Sequence, residues 1–383
     1  MPLHFTADEF AARRAALQSS LQKAGLDGLL MFRQESMYYL TGYDTFGYVF
    51  FQCLYFGAEG DLFLLTRKPD LLQAQLTSDI KEIHIWVDAD GASPAGDLKK
   101  LLQARKLQGK KLGVEYDAYG LTAQNGMRLQ AALDGFCMLS DASMLVTKLR
   151  LVKSPAELAY VRRAADLADD ALDEAHRLAR PGADEGEILA AMQGAVFKGG
   201  GDYPGNEFII GSGPQALLVR YAAGRRKLDS QDQLTLEFAG VYRHYHACLM
   251  RTIVIGTAPR RQKEMHKAAI GAMQACIDAI RPGRTFGEVF AAHAQAMDGA
   301  GFADSRLNAC GYSLGTTFSP NWMDWPMLYR DNPVALQPGI VLFLHMILVD
   351  GATRLAMNPG QTVIVTEQGC EVLSRHSLDL VVR

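Results

Sequence analysis

The 383-residue chain has no apolar run of membrane-spanning length, which argues against a helical membrane protein. Its opening, Met1-Pro2-Leu3-His4-Phe5-Thr6, lacks the basic-then-apolar profile of a secretory signal. The six cysteines, at positions 53, 137, 248, 276, 310 and 370, include no CxxC pair. A structural zinc site is therefore not expected, and a reducing cytoplasm is the natural compartment. The formal net charge is only -3, with no basic stripe or acidic tail, so nucleic acid is not expected as the main partner. What is present is an ordinary globular balance of apolar and charged residues, in a chain long enough for two cores.

Local signals divide the chain. Thr6-x-x-Glu9 predicts a capping box opening a helix to about Leu21, ended by Gly25. Strand-like runs at 28–32, 48–56, 61–65 and 84–87, with helical patterns at 69–75 and 97–104 between them, describe a small α/β domain. Ser154-Pro155-Ala156-Glu157 is a strong helix start, with Ser154 as cap, Pro155 at the first position and Glu157 closing the box. The boundary falls just before it, giving domains 1–150 and 151–383. In the second domain Arg180-Pro181-Gly182, followed by Glu187, recurs as Arg281-Pro282-Gly283, followed by Glu288. Each copy lies between two helices, which predicts two related halves.

The chemistry concentrates in the stretch from Leu236 to Thr252. If 244–252 is a strand, His244, His246, Cys248 and Met250 share one face, and Glu237 looks into the same space from the partner strand. A carboxylate beside imidazoles supplies a nucleophile or base with its orienting partner. The bland alternative is a set of histidines hydrogen-bonded inside a buried sheet. Cys248 is a lesser nucleophile candidate, because need for a small residue is the commoner reason for cysteine there.

Seven motifs in order resemble the creatinase/prolidase superfamily over the whole chain. They are Tyr39-Leu40-Thr41-Gly42, Leu149 to Glu157, Gly211-Ser212-Gly213, Arg251-Thr252, Gly311 to Gly315, Gln337-Pro338-Gly339 and Thr362 to Thr366. The resemblance implies an α+β fold, with a smaller α/β creatinase-type N-terminal domain and a pita-bread C-terminal catalytic domain. It also implies a loss. The positions of the family's five metal ligands carry Glu237, Cys248, Tyr312, His345 and Gly360 or Gln361, so one carboxylate survives, and neither metal nor other cofactor is expected. Arg220 stands where creatinase has its base histidine. Met250 and Gly360 or Gln361 replace the carboxylates that hold its guanidinium, which disfavours creatine. Within the metal-lacking branch, the Glu-x-x-Gly start followed by Tyr-His-Ala and Arg-Thr is similar to ectoine hydrolase.

Trp322-Met323-Asp324-Trp325 belongs to a loop that in relatives lies over the active site. Tryptophan faces attract cations, and Asp324 could pair with an amidine or ammonium group; an aromatic cluster closing the domain is the plainer reading. Arg220 could clamp a carboxylate, while Arg225-Arg226-Lys227 read as surface ion pairs. The expected function is metal-independent hydrolysis of a C–N bond in a small zwitterion such as an ectoine-like cyclic amidine. Glu237, His246 and His345 would be catalytic, with Arg220, His244, Tyr312, Trp322, Asp324 and Trp325 binding substrate. Two other readings stand beside it, an Xaa-Pro-type metallopeptidase with an atypical site and a non-catalytic pita-bread binding module. Relatives with this N-terminal domain are commonly dimers, so a cytoplasmic homodimer is expected.

Overall fold

The computed structural model describes residues 3–220 and 226–383, which leaves the expected surface role of Arg225 outside the described residues. The chain separates into two compact units, Met1–Arg150 and Leu151–Arg383. Among the described residues, no helix is long and apolar enough to cross a membrane.

The first unit is built on a six-stranded mixed sheet in the order Ile83–Trp86, Leu62–Arg67, Cys53–Gly57, Gly28–Met31, Lys111–Val114, Met138–Asp141. Buried side chains on both sheet faces, Leu30, Phe63 and Leu112 on one and Leu29, Leu54 and Leu64 on the other, form two apolar layers. Each such side chain stabilises the unit by roughly 1.5–3 kcal/mol on burial. Thr6 caps the helix Ala7–Ala24 by accepting from the Glu9 N–H, and Gly25 ends it in the left-handed region. The Glu9 carboxylate pairs with Arg13 at 2.7 Å, so the expected capping box is made in its first half. The strand expected over 48–56 is shorter, because 47–49 form a 3-10 turn and pairing begins at Cys53.

The second unit has a nine-stranded sheet. Its main path runs Asp324–Tyr329, Ala309–Ser313, Val341–His345, Gly360–Val365, Tyr245–Ile255, Asp232–Tyr242, Ile209–Ser212, with every neighbour on that path antiparallel. Ser154 and Glu157 form both halves of the capping box that opens the helix Pro155–Leu178. The predicted repeat is physical. Helix Pro155–Leu178 passes through Gly182 (φ 79°) into Glu185–Lys198, as Arg260–Ala279 passes through Gly283 (φ 86°) into Phe286–Gly299. The Gly182 N–H donates to Leu228 O at 2.7 Å and the Gly283 N–H to Leu336 O at 2.9 Å, so each glycine turns the chain onto an equivalent acceptor.

Gly240 explains one of the spaced residues after Glu237. A Cβ there would lie 1.9 Å from Ala164 O, so its absence lets the Pro155–Leu178 helix press directly on the strand. Helices Arg260–Ala279 and Phe286–Gly299 cover the sheet through Ala269, Met273, Phe290 and Met297, packed on Leu342 and Leu344.

Candidate active site

The two-residue turn Arg243-His244 joins Asp232–Tyr242 to Tyr245–Ile255, with both turn residues in the left-handed region (φ 52° and 64°). This conformation is costly without glycine and persists only where the surroundings hold it. Here Arg243 lies over the Tyr160 ring, the His244 N–H donates to Asp202 at 3.3 Å, and the His244 ring stacks on Phe318 at 4.2 Å. His244 is therefore outside the strand. This corrects the expectation that it shares the inner face with its neighbours.

The strand registers set one row across the sheet, Glu237 opposite Met250, Met250 opposite Gly360, and Gly360 opposite His345. A cavity of about 130 Å³ lies over this row, lined by Glu237, Met250, Tyr312, Trp322 and His345, with Asn206 and Arg220 at its edges. Tyr312 sits four strands from Glu237, about 19 Å along a flat sheet. Its hydroxyl nevertheless donates to Glu237 Oε1 at 3.4 Å, so the sheet wraps around the cavity. Trp322 Nε1 donates to the same hydroxyl at 2.9 Å. The result is a directed chain from indole to phenol to carboxylate.

Burial raises the Glu237 carboxyl to about 7, against the opposing charge of Arg220 and the Tyr312 hydrogen bond. Glu237 is thus poised between its two protonation states near neutral pH. A second pocket of about 20 Å³, room for roughly one water molecule, also borders Glu237 and includes Thr235 and Asn358 in its lining. His345 is pulled down to about 3, first by burial and then by the charge of His293, so its imidazole is neutral. Its Nδ1 is buried without a hydrogen-bond partner, and its ring lies 5.7 Å from that of Tyr312. Tyr312 is held well above its ordinary value by burial and by Glu237, and stays a hydrogen-bond donor.

Three other expected residues do not line this cavity. His246 is fully buried, and its Nε2 accepts the Gly205 N–H at 2.9 Å while Nδ1 lies 2.9 Å from His244 O and 3.1 Å from Thr317 Oγ1. Both ring nitrogens are engaged by loops that close over the end of the strand, and burial draws its pKa down to about 3. Asp324 accepts from the Trp325 N–H at 2.9 Å, and its carboxylate lies beside the Lys153 ammonium at Gly315, away from the cavity. Trp325 packs on the helix-covered face of the sheet. The pairing between Ala309–Ser313 and Asp324–Tyr329 shifts register twice, so simple alternation fails there. Arg226 pairs with exposed Asp229, as expected of a surface ion pair, and also with Asp232, whose side chain is almost fully buried.

Cys248 is buried, and burial with the nearby Glu237 charge holds its thiol well above the usual range. Arg251-Thr252 are structural: the guanidinium donates to Met250 O and Gly360 O, both at 2.8 Å, and Asn358 N–H donates to Thr252 at 3.0 Å. Asn206 also lines the cavity without any motif to mark it beyond its place after Pro204-Gly205, and its Oδ1 accepts the Trp322 N–H at 3.2 Å.

A dinuclear metal centre would need several carboxylates converging on this row. Among the described residues, Glu237 is the single carboxylate lining the cavity. Among the described residues, the one group of three or more His, Cys, Asp or Glu ligands close enough to hold an ion is Cys276, His293 and Cys310. The residues around Glu237 do not fit such a centre.

The fold and the site together define a two-domain hydrolase of the creatinase/prolidase type. The pattern of Metallopeptidase family M24 matches residues 159–368, and that of the creatinase/prolidase N-terminal domain matches residues 13–152; the chain belongs to this family. It is 28% identical over 393 residues to an uncharacterized hydrolase/peptidase of Sinorhizobium fredii, covering 100% of this chain and 99% of that protein. It is 26% identical over 408 residues to the ectoine hydrolase of Halomonas elongata, again over 100% and 99%. Its fold is that of an Xaa-Pro dipeptidase from Bacillus anthracis, with TM-score 0.85 at 22% identity over 98% of this chain and 100% of that one.

Proposed function

We propose that this protein hydrolyses a C–N bond in a compact zwitterion, using Glu237 in place of a dinuclear metal centre. The observation that carries this reading is a single carboxylate, raised to about 7, in a small cavity edged by one arginine. A base or nucleophile titrating near the working pH combines reactivity with a usable ionised fraction. The cavity, about 130 Å³, is small beside the roughly 300–1,000 Å³ of drug-sized ligand sites, and favours a single ring over an extended peptide.

Arg220 would hold the substrate carboxylate, bringing the scissile bond to Glu237. The faces of Trp322 and Tyr312 would receive the cationic end, the task first expected of Asp324. Glu237 either attacks directly or takes a proton from a water in the small pocket beside Thr235. His345, neutral, would accept or return the proton at the far end of the row. The whole-length similarity to an ectoine hydrolase supports a cyclic amidine as substrate.

The test compares ligands directly. Ectoine and related cyclic amidines are expected to raise the melting temperature and to be opened, while Xaa-Pro dipeptides do neither. Cleavage of Xaa-Pro dipeptides that is lost with chelator, with every small zwitterion inert, would establish the peptidase reading instead.

A further inference from the structure

On the helix-covered face of the sheet lies a second group, whose members line neither of the pockets beside Glu237. Cys276 comes from helix Arg260–Ala279, His293 from Phe286–Gly299 and Cys310 from strand Ala309–Ser313. All three are buried, and each offers a ligand atom within 4.8 Å of those of the other two. They are surrounded by Phe290, Met297, Leu344 and other apolar side chains.

His293 is the informative member. Its Nδ1 lies 3.2 Å from Met346 Sδ. A thioether only accepts, so the ring proton sits on Nδ1 and Nε2 presents a lone pair. That Nε2 is buried and has no hydrogen-bond partner, a state that ordinarily costs about 1–3 kcal/mol.

The internal repeat supplies a control. Matching Arg180-Pro181-Gly182 to Arg281-Pro282-Gly283, the counterparts of Cys276 and His293 are Ala175 and Met192, both buried. The same helix pair packs on the same sheet with apolar residues at these places. Packing alone therefore does not require a thiol and an imidazole in the second copy.

We propose that Cys276, His293 and Cys310 bind one thiophilic closed-shell metal ion, zinc or cuprous copper, and so pin the two helices to the sheet; three ligands suit cuprous ion as they stand and leave zinc a fourth position for one water. Thiolate and imidazole are the ligands both ions favour. Bond lengths of about 2.0–2.3 Å place the ligand atoms roughly 3.5–4 Å apart, so closing from the present separations takes a movement on the order of 1 Å. The bound state is electrically neutral in either case, as an apolar core demands. Zinc binds two thiolates and releases two protons; cuprous ion binds one thiolate and one thiol and releases one. No CxxC spacing announces such a site, because its ligands come from three separate elements.

The test uses the full chain, unfolded and refolded anaerobically with reductant in the presence of zinc, cuprous ion, or cobalt as a coloured substitute for zinc. The expected result is one ion per chain after gel filtration, with sulfur and nitrogen scatterers by X-ray absorption. Cobalt should give thiolate-to-metal charge transfer. Proton release on loading, two against one, separates zinc from copper. The Cys276→Ser/Cys310→Ser double variant should lose the ion and the charge-transfer band, and Glu237→Gln should keep both. X-ray absorption on the unaltered chain reads the ligands even where the double variant fails to fold. Retention of neither ion, oxygen-only ligation, or a Cys276–Cys310 disulfide in the protein as purified would overturn the proposal.

Discussion

Glu237 carries opposite consequences for activity and for stability, because one displaced proton governs both. Its folded value, about 7, lies above the ordinary value of 4.5, so the folded state prefers the protonated form. The associated stability is fully present below the unfolded value and is lost as pH rises through about 7. Glu237→Gln cannot ionise. It should therefore raise the melting temperature relative to the parent more at pH 8 than at pH 4.5, read by thermal unfolding at both. The same substitution should abolish turnover, and in the parent kcat/KM should fall below an apparent pKa near 7, where the reactive carboxylate is lost. A Gln variant that turns over normally would remove Glu237 from the chemistry. The motifs of the resemblance point to Glu237, Tyr312, His345 and Arg220, which the structure brings to one cavity. They could not pick out the direction of His246 or Asp324. Loops holding Gly205 and Thr317 claim the His246 ring, and a doubly shifted register turns Asp324 toward Lys153. Neither cause is local in the chain.

At the level of elements, contact between helix and strand depends on one missing atom. Gly240→Ala would bring a Cβ to 1.9 Å from Ala164 O, a backbone atom that can yield only if helix Pro155–Leu178 moves. The expected cost is about 1–3 kcal/mol, as for other overpacked sites, seen as a lower denaturation midpoint with unchanged slope. Full stability in that variant would mean the helix is free to shift. The helix itself was legible because Ser154, Pro155 and Glu157 act within four residues of one another. The alternating strands and helices of the first unit were legible for a similar reason, since hydrophobic period and turn residues are local signals, while the pita-bread form of the second was legible through the motif resemblance. The cavity was less so. Its closure depends on curvature that brings Tyr312 to Glu237 across four strands, and on the long Trp322 loop, neither of which a spacing pattern expresses.

Across the whole molecule the three tryptophans fall unequally, with Trp86 in the first unit and Trp322 and Trp325 in the second. Only Trp322 is bonded into the chain that ends on Glu237. When that carboxylate ionises, Tyr312 donates more strongly to it, its oxygen becomes a better acceptor, and the indole N–H is drawn further out of its ring. The site therefore carries its own optical gauge. With Trp86 and Trp325 replaced by Phe, the emission of Trp322 should titrate with a midpoint near 7. Glu237→Gln should flatten the curve, and a zwitterion seated between Arg220 and Glu237 should displace the midpoint. A signal indifferent to both would mean that the three groups are neighbours without being coupled. If the coupling holds, the protonation state of the reactive group can be followed in solution without turnover, label or substrate.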